Sequence, residues 1–178
     1  MKPKLIMLGG FASSGKTTLA KKYVSEHPRA LSVEGDEIIT KLGQWRENIS
    51  EAIECKQALV TTLVESHLKR GHDVVLPYLL RDSMDAERFE ALAHACEADF
   101  YEVTLSIEKE EAIERLFKRG TWGEEGLPPL TEADRPKAEK LHDSMMEAVS
   151  TRPNMIYIEC KEDDIEGTYS QINNSIMN

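Results

Sequence analysis

Gly10-Phe11-Ala12-Ser13-Ser14-Gly15-Lys16-Thr17 matches GxxxxGK[ST], with Thr18 directly behind it. The flanking residues make the match specific. Lys4 to Leu8 is an apolar run of strand length ahead of Gly9-Gly10. Thr17 to His27 then carries Leu19, Ala20, Tyr23 and Val24 on one helical face before Pro28 stops it. Strand, glycine loop and helix in that order form a phosphate cradle. Gly10 and Gly15 permit backbone dihedrals that a side chain forbids, so successive N–H groups around Ala12, Ser13 and Ser14 turn inward toward phosphate oxygens. The helix start adds the positive end of its dipole. Lys16 supplies a mobile cation to the β- and γ-phosphates, the Thr17 hydroxyl is placed to ligate Mg²⁺, and Thr18 reaches the α-phosphate. A glycine turn with an incidental lysine would account for the loop but not for its flanks. Nucleotide binding is therefore expected, whereas transfer or hydrolysis does not follow from the loop alone.

Outward from the loop, strands and helices alternate. Ala30 to Val33 is a second strand candidate that ends in Glu34-Gly35-Asp36, where a turn or helix entry follows. Residues 51 to 70 repeat apolar groups at Ala52, Ile53, Leu59, Val60, Leu63, Val64 and Leu68, a helix ending at Gly71. Asp73 to Tyr78 is continuous and β-branched, the pattern of a central parallel strand with Pro77 at its frayed end. Helical spacing returns over 84 to 97, Tyr101 to Ile107 alternates as a fourth strand, and residues 108 to 119 form another helix. Gly120 to Pro129 holds three glycines and two prolines, the composition of a lid or binding loop. A helix from Arg135 to Val149, with Met145 and Met146 packing it, precedes a fifth strand at Met155 to Glu159 and a last helix over 162 to 176. This order predicts an α/β fold: a five-stranded parallel sheet, helices on both faces, right-handed crossovers.

The 178 residues suit one domain spanning 1 to 178. A net charge of −10 disfavours general nucleic-acid binding, but the deficit is uneven. Residues 1–50 hold 8 basic and 5 acidic groups, and residues 51–178 hold 14 and 27. The cations that would meet a phosphorylated ligand are thus few and local. Mean hydropathy of −0.44 excludes wholesale disorder. The longest apolar run, Val74 to Leu80, is far short of the roughly 20 residues that span a bilayer, so no membrane association is expected. Lys2, Lys4 and Leu5 to Leu8 imitate a secretory leader, yet the apolar stretch ends in the glycine motif without an A-x-A site. Cys55, Cys96 and Cys160 lack ligand spacing and read as buried thiols in a reducing compartment, and the expected location is the cytoplasm. The five histidines lack ligand spacing and are expected in surface or core roles.

Among nucleotide proteins, GTPases are disfavoured because no NKxD follows and the one DxxG string, Asp164 to Gly167, falls near the end of the chain. The LSGGQ-type signature of ABC proteins is also missing. Across nearly its whole length the chain resembles the small P-loop kinases, the group of gluconate, shikimate, adenylylsulfate and nucleotide kinases with chloramphenicol phosphotransferase and zeta-toxin relatives. The resemblance rests on the loop at 10 to 17, the acidic turn Glu34-Gly35-Asp36 and Arg115-Leu-Phe-Lys-Arg119, of which the first is the specific one. It implies a three-layer P-loop NTPase fold with a lid within 120–135, ATP and Mg²⁺ as cofactors, and a kinase moving the γ-phosphoryl of ATP to a hydroxyl of a small molecule.

By that resemblance Asp36 accepts the proton of the substrate hydroxyl, and one carboxylate near the phosphate loop suffices for a reaction that is mostly positioning and charge stabilisation. The competing reading makes Asp36 the N-cap of a helix beginning near Glu37. Glu34 holds substrate or a metal-bound water. Arg115 and Arg119 leave one helix face; the resemblance has Arg115 stack on adenine and Arg119 reach the phosphates, against a reading in which they pair with Glu111 and Glu114. Arg81, after the third strand, suits an anionic substrate or the transferring phosphoryl group, or else a salt bridge with Asp82 or Asp85. Arg46 is a weaker candidate. Arg135 would swing inward when the lid closes, with Trp122 a hydrophobic latch.

The chain departs from the family pattern in two places. Leu76-Pro77-Tyr78 replaces the aspartate of a full Walker B strand, leaving Mg²⁺ to Thr17, phosphates and water. The double-glycine turn of shikimate kinases is missing, and no nucleoside monophosphate site is evident. Two further readings stand beside the small-molecule kinase: a kinase for a polynucleotide end or nucleotide-sugar, and an ATP-binding switch without catalysis. The acceptor and the oligomeric state are not legible, because residues 37 to 50 and 77 to 85 carry no readable code.

Overall fold

The computed structural model describes residues 2–123, 128–161 and 163–177. Strand β1 (Lys4–Gly10) lies at the centre of a parallel sheet of order β2-β3-β1-β4-β5, with β2 Leu31–Ser32, β3 Val74–Tyr78, β4 Asp99–Ser106 and β5 Ile156–Glu159. A central parallel strand is covered on both faces, and Leu5 to Leu8 are accordingly all buried. β1 runs two residues further than its apolar run, through Gly9 and Gly10, so the glycine loop starts directly from the sheet. β2 is half the expected length because its ladder closes after Leu31↔Val74 and Ser32↔Val75. That early end is what admits Pro77 to β3: it pairs with Leu8 of β1 beyond the reach of β2, where its missing N–H breaks no ladder.

The helices are α1 (Lys16–Glu26), α2 (Gly35–Thr40), α3 (Ile49–Leu68), α4 (Ser83–Ala95), α5 (Lys109–Arg119), α6 (Arg135–Ser150) and α7 (Ile165–Ile176). Right-handed crossovers put α1 on one face of the sheet and α3 to α6 on the other. α7 returns to α1, where Lys22 Nζ sits 3.0 Å from Glu166 and over the Tyr169 ring. At the amino-terminal edge Asp73 holds three elements together, accepting from the Lys4 N–H at 2.8 Å and the buried Tyr23 hydroxyl at 2.7 Å. Among the described residues no helix is long and apolar enough to cross a membrane.

Burial and capping add detail to the sequence reading at three places, and at Cys55 they correct it. The apolar repeat of α3 is only half core: Ala52, Val60, Val64 and Leu68 are buried, whereas Ile53, Leu59 and Leu63 are exposed together with Ile49. Cys55 is exposed rather than buried; it lies on α3, while Cys96 is half-buried, Cys160 buried and all three are free thiols. The helix after β2 begins at Gly35, with Glu34 at the N-cap, so Asp36 sits inside the first turn and does not cap it.

Candidate active site

The carboxyl-terminal edge of β1 builds the loop. Gly10 has φ +143°, and a Cβ there would lie 2.7 Å from Ser14 Oγ and 3.1 Å from Leu105 Cβ, so only glycine fits the turn. Gly15, at φ +93°, is the N-cap residue of α1, and a Cβ there would meet nothing within 4 Å. The space beside it lies open at the helix N-terminus, whose first turn carries no acidic residue, as an anion site requires. Ser13 holds the left-handed conformation without being glycine, and its hydroxyl is buried without a partner. Ser14 acts on the loop itself, since its N–H donates to the Phe11 carbonyl at 3.2 Å. Ala12 is half-buried and Thr18 exposed. Phe11 faces away from the loop into the core, 2% exposed.

Lys16 arches back over the loop. Its Nζ donates to the carbonyls of Gly10 at 2.8 Å and Phe11 at 2.7 Å and lies 3.4 Å from Ser14 Oγ. Burial pulls its pKa down from 10.5 to about 8, opposed by the attraction of Asp36 and Glu34 and reinforced by repulsion from Arg119. Residues far apart in sequence, Glu34 and Asp36 from the β2–α2 junction and Arg119 from the end of α5, are therefore in the electrostatic neighbourhood of one ammonium.

Thr17 Oγ1 donates to Glu34 Oε2 at 2.8 Å. Two oxygens at that separation could hold a hard cation such as Mg²⁺. Among the described residues no cluster of three or more His, Cys, Asp or Glu side chains is arranged to hold a metal. The Thr17–Glu34 contact was not readable from spacing, because 17 residues and a sheet crossover separate the partners.

Arg119 is partly desolvated, which lowers its pKa, and its Nε donates to the Thr121 carbonyl at 2.9 Å. Arg115 pairs with Glu111, as the simpler reading had it, but its Nε is buried without a partner and its charge acts on the Cys160 thiol after β5. It thus stands between α5 and the β5–α7 junction. Arg81 is exposed between β3 and α4, and neither expected salt bridge forms: Asp82 caps α4 through the Met84 N–H at 3.0 Å, and Asp85 pairs with Arg88 and accepts from Tyr78. Arg46 lies over the Trp45 ring at 4.5 Å. Of the lid expected within 120–135, residues 124 to 127 lie outside the described residues. Trp122 packs against the core with Lys137 over its ring, beside a cavity of about 170 Å³ that Pro128, Pro129 and Leu130 also line. Arg135 is held outside the Lys16 cluster, 3.0 Å from Glu132 and over the Phe117 ring.

A parallel sheet of this order, with a GxxxxGK[ST] loop leaving its central strand, defines a three-layer P-loop NTPase fold. The family model for an AAA domain, AAA_33, matches residues 5–138, and the chain belongs to that family. No curated protein matches it by sequence. Solved structures share its fold at low identity. The shikimate kinase of Aquifex aeolicus has a TM-score of 0.65 at 16% identity, covering 97% of this chain and 96% of its own. A gluconokinase from Sinorhizobium meliloti has 0.58 at 13%, covering 99% and 97%. A chain of the Pnkp1/Rnl/Hen1 RNA repair complex has 0.67 at 18%, covering 85% of this chain, which spans only 47% of that longer one.

Proposed function

We propose that the protein is an ATP- and Mg²⁺-dependent kinase that moves the γ-phosphoryl of ATP to a hydroxyl of a small molecule. The observation that carries this reading is that Asp36, Glu34 and Arg119, distant in sequence, all act electrostatically on the lysine of the phosphate loop. A binding switch needs the loop and its lysine; it has no use for a carboxylate outside the N-cap position, exposed to an incoming hydroxyl.

Residues divide the work. Main-chain groups around Ala12, Ser13 and Gly15, with the start of α1, cradle phosphate oxygens, and Lys16 swings from its carbonyl partners onto the β- and γ-oxygens. Arg119 adds a cation where charge develops, Arg115 stands toward the adenine end, and Arg81 faces an anionic portion of the acceptor. Thr17 and Glu34 are the residues that would hold Mg²⁺, which when bound with the nucleotide supplies neutralisation of the β- and γ-oxygens. Asp36 takes the proton of the attacking hydroxyl.

The test is a screen of hydroxyl compounds, sugars, amino alcohols and 5′-hydroxyl oligonucleotides, read by ADP release. The oligonucleotides belong in it because one structural neighbour is part of an RNA repair complex. Asp36→Asn is expected to lower transfer to the acceptor so found by about 10²- to 10⁴-fold, with mant-ATP affinity unchanged. Near wild-type turnover in that variant removes Asp36 as base, and tight ATP binding with no acceptor phosphorylated favours the switch.

A further inference from the structure

One aromatic pair joins the phosphate loop to the helix that leaves the lid. Phe11, the second residue of the loop motif, turns its ring away from the nucleotide side and meets the His142 ring of α6, with centroids 5.2 Å apart and planes at 67°. Both side chains are interior, at 2% and 6% exposure. His142 belongs to the buried stripe Ala138, His142, Met145, Val149 of α6, a series otherwise apolar, and its Nδ1 is buried with no hydrogen-bond partner. The ring bonds to the Ile107 main chain and Asp143 Oδ1 lies 4.0 Å from Nδ1, so what calls for a reason is an aromatic ring, rather than an aliphatic side chain, at this core position. Its position supplies one. The carbonyl of Phe11 is the shorter of the two main-chain contacts of Lys16 Nζ and also accepts the Ser14 N–H. α6 begins at Arg135, where the lid region ends.

We propose that His142 is a positioning residue for the phosphate loop: its ring holds the Phe11 side chain, and through it the main-chain carbonyl that receives Lys16. This rests on the reading of residues 10–17 as a nucleotide phosphate loop. Edge-to-face aromatic contacts fix orientation as well as volume, which a branched aliphatic side chain of similar size does not reproduce. Burial, with the nearby Lys109 cation, disfavours protonation of the ring, against Asp143, Glu108 and the Ile107 main chain, which favour it; the net shift is downward. Burial and Lys109 thus favour the neutral ring, and phenylalanine keeps the aromatic contact with Phe11 while giving up the hydrogen bond to the Ile107 main chain.

Two variants separate positioning from packing: His142→Leu keeps volume and loses the ring, and His142→Phe keeps the ring and loses the nitrogens. Thermal melts confirm that each is folded at the working temperature. In the ligand-free protein His142→Leu is expected to speed amide exchange at residues 11–16 by about tenfold, with exchange in β1 and β3 unchanged and His142→Phe close to wild type. The mant-ATP Kd of His142→Leu is expected to rise about 2- to 30-fold. Phe11→Leu should do the same, and the double variant should be no worse than either single one. Unchanged loop exchange in His142→Leu overturns the proposal, as do strictly additive Kd effects or faster exchange without any loss of affinity. If wild-type protein itself fails to bind mant-ATP, the kinase reading falls, and the exchange measurement still decides the role of His142.

Discussion

Toward the amino-terminal edge of the sheet Arg152 donates to Glu102 at 2.9 Å and to Glu90 at 2.6 Å, with Glu87 at 3.8 Å. At the opposite edge Lys16 has main-chain carbonyls and a serine hydroxyl for partners, with Arg119 close enough to repel it. Both cations are shielded from water, yet they are compensated in opposite senses. Arg152 has more carboxylates around it than it can neutralise; Lys16 has a cationic neighbour and no carboxylate in hydrogen-bond contact among the described residues. A structural cation is held by side chains that fold with it. Lys16 has the pattern that the proposed role asks of a cation: main-chain dipoles as partners and its strong valence left for a polyphosphate.

Four experiments break or sharpen that contrast. The largest effect is expected at Arg152. Its Ala variant leaves the Glu102 carboxylate, on a residue only 5% exposed, without its cation and should lose about 3–5 kcal/mol in denaturant titration, with nucleotide affinity retained in the folded fraction. Lys16→Met should show the reverse pattern: a melt near wild type, and transfer lowered by about 10²- to 10³-fold in single-turnover assays.

The third experiment reads pH. Because burial holds Lys16 near 8, below its ordinary 10.5, nucleotide affinity should fall as pH rises through about 8, while Lys16→Met shows no such step. The stability linkage has the opposite sign. Between about 8 and 10.5 the unfolded chain binds the Lys16 proton that the folded one has lost, so ligand-free wild type should gain stability relative to Lys16→Met with rising pH, measured by urea titration at each pH. The smallest effect is at Asp82→Ala, which removes the side-chain cap of α4 and should cost about 1 kcal/mol without altering mant-ATP binding. A change in nucleotide affinity there would tie the β3–α4 junction, and with it Arg81, to the site.

Much of this molecule was legible in one dimension. The strand–loop–helix at 4 to 27, the alternation of elements after it and the helix Arg135 to Ser150 follow from periods and breakers acting over a few residues. Exposure was harder to read. Leu59 and Leu63 have the same chemistry as Val60 and Val64, and only the sheet and neighbouring helices decide which of them is covered. Cys55, on the same helix, is exposed for the same reason. The competing reading of Asp36 as N-cap fails by two positions, because the helix starts at Gly35 with Glu34 at the cap, directly where the β2 ladder has ended.

By itself the sequence determined that a phosphate loop of glycine, lysine and threonine sits between a strand and a helix, since that motif needs only dihedral freedom and local charge. Tertiary structure alone decided that Glu34 meets Thr17, that Asp36 and Arg119 share the field of Lys16, and that His142 backs Phe11. Those relations join residues 17 to 131 positions apart, and their distances are set by the crossovers and packing of a sheet whose strand order differs from chain order.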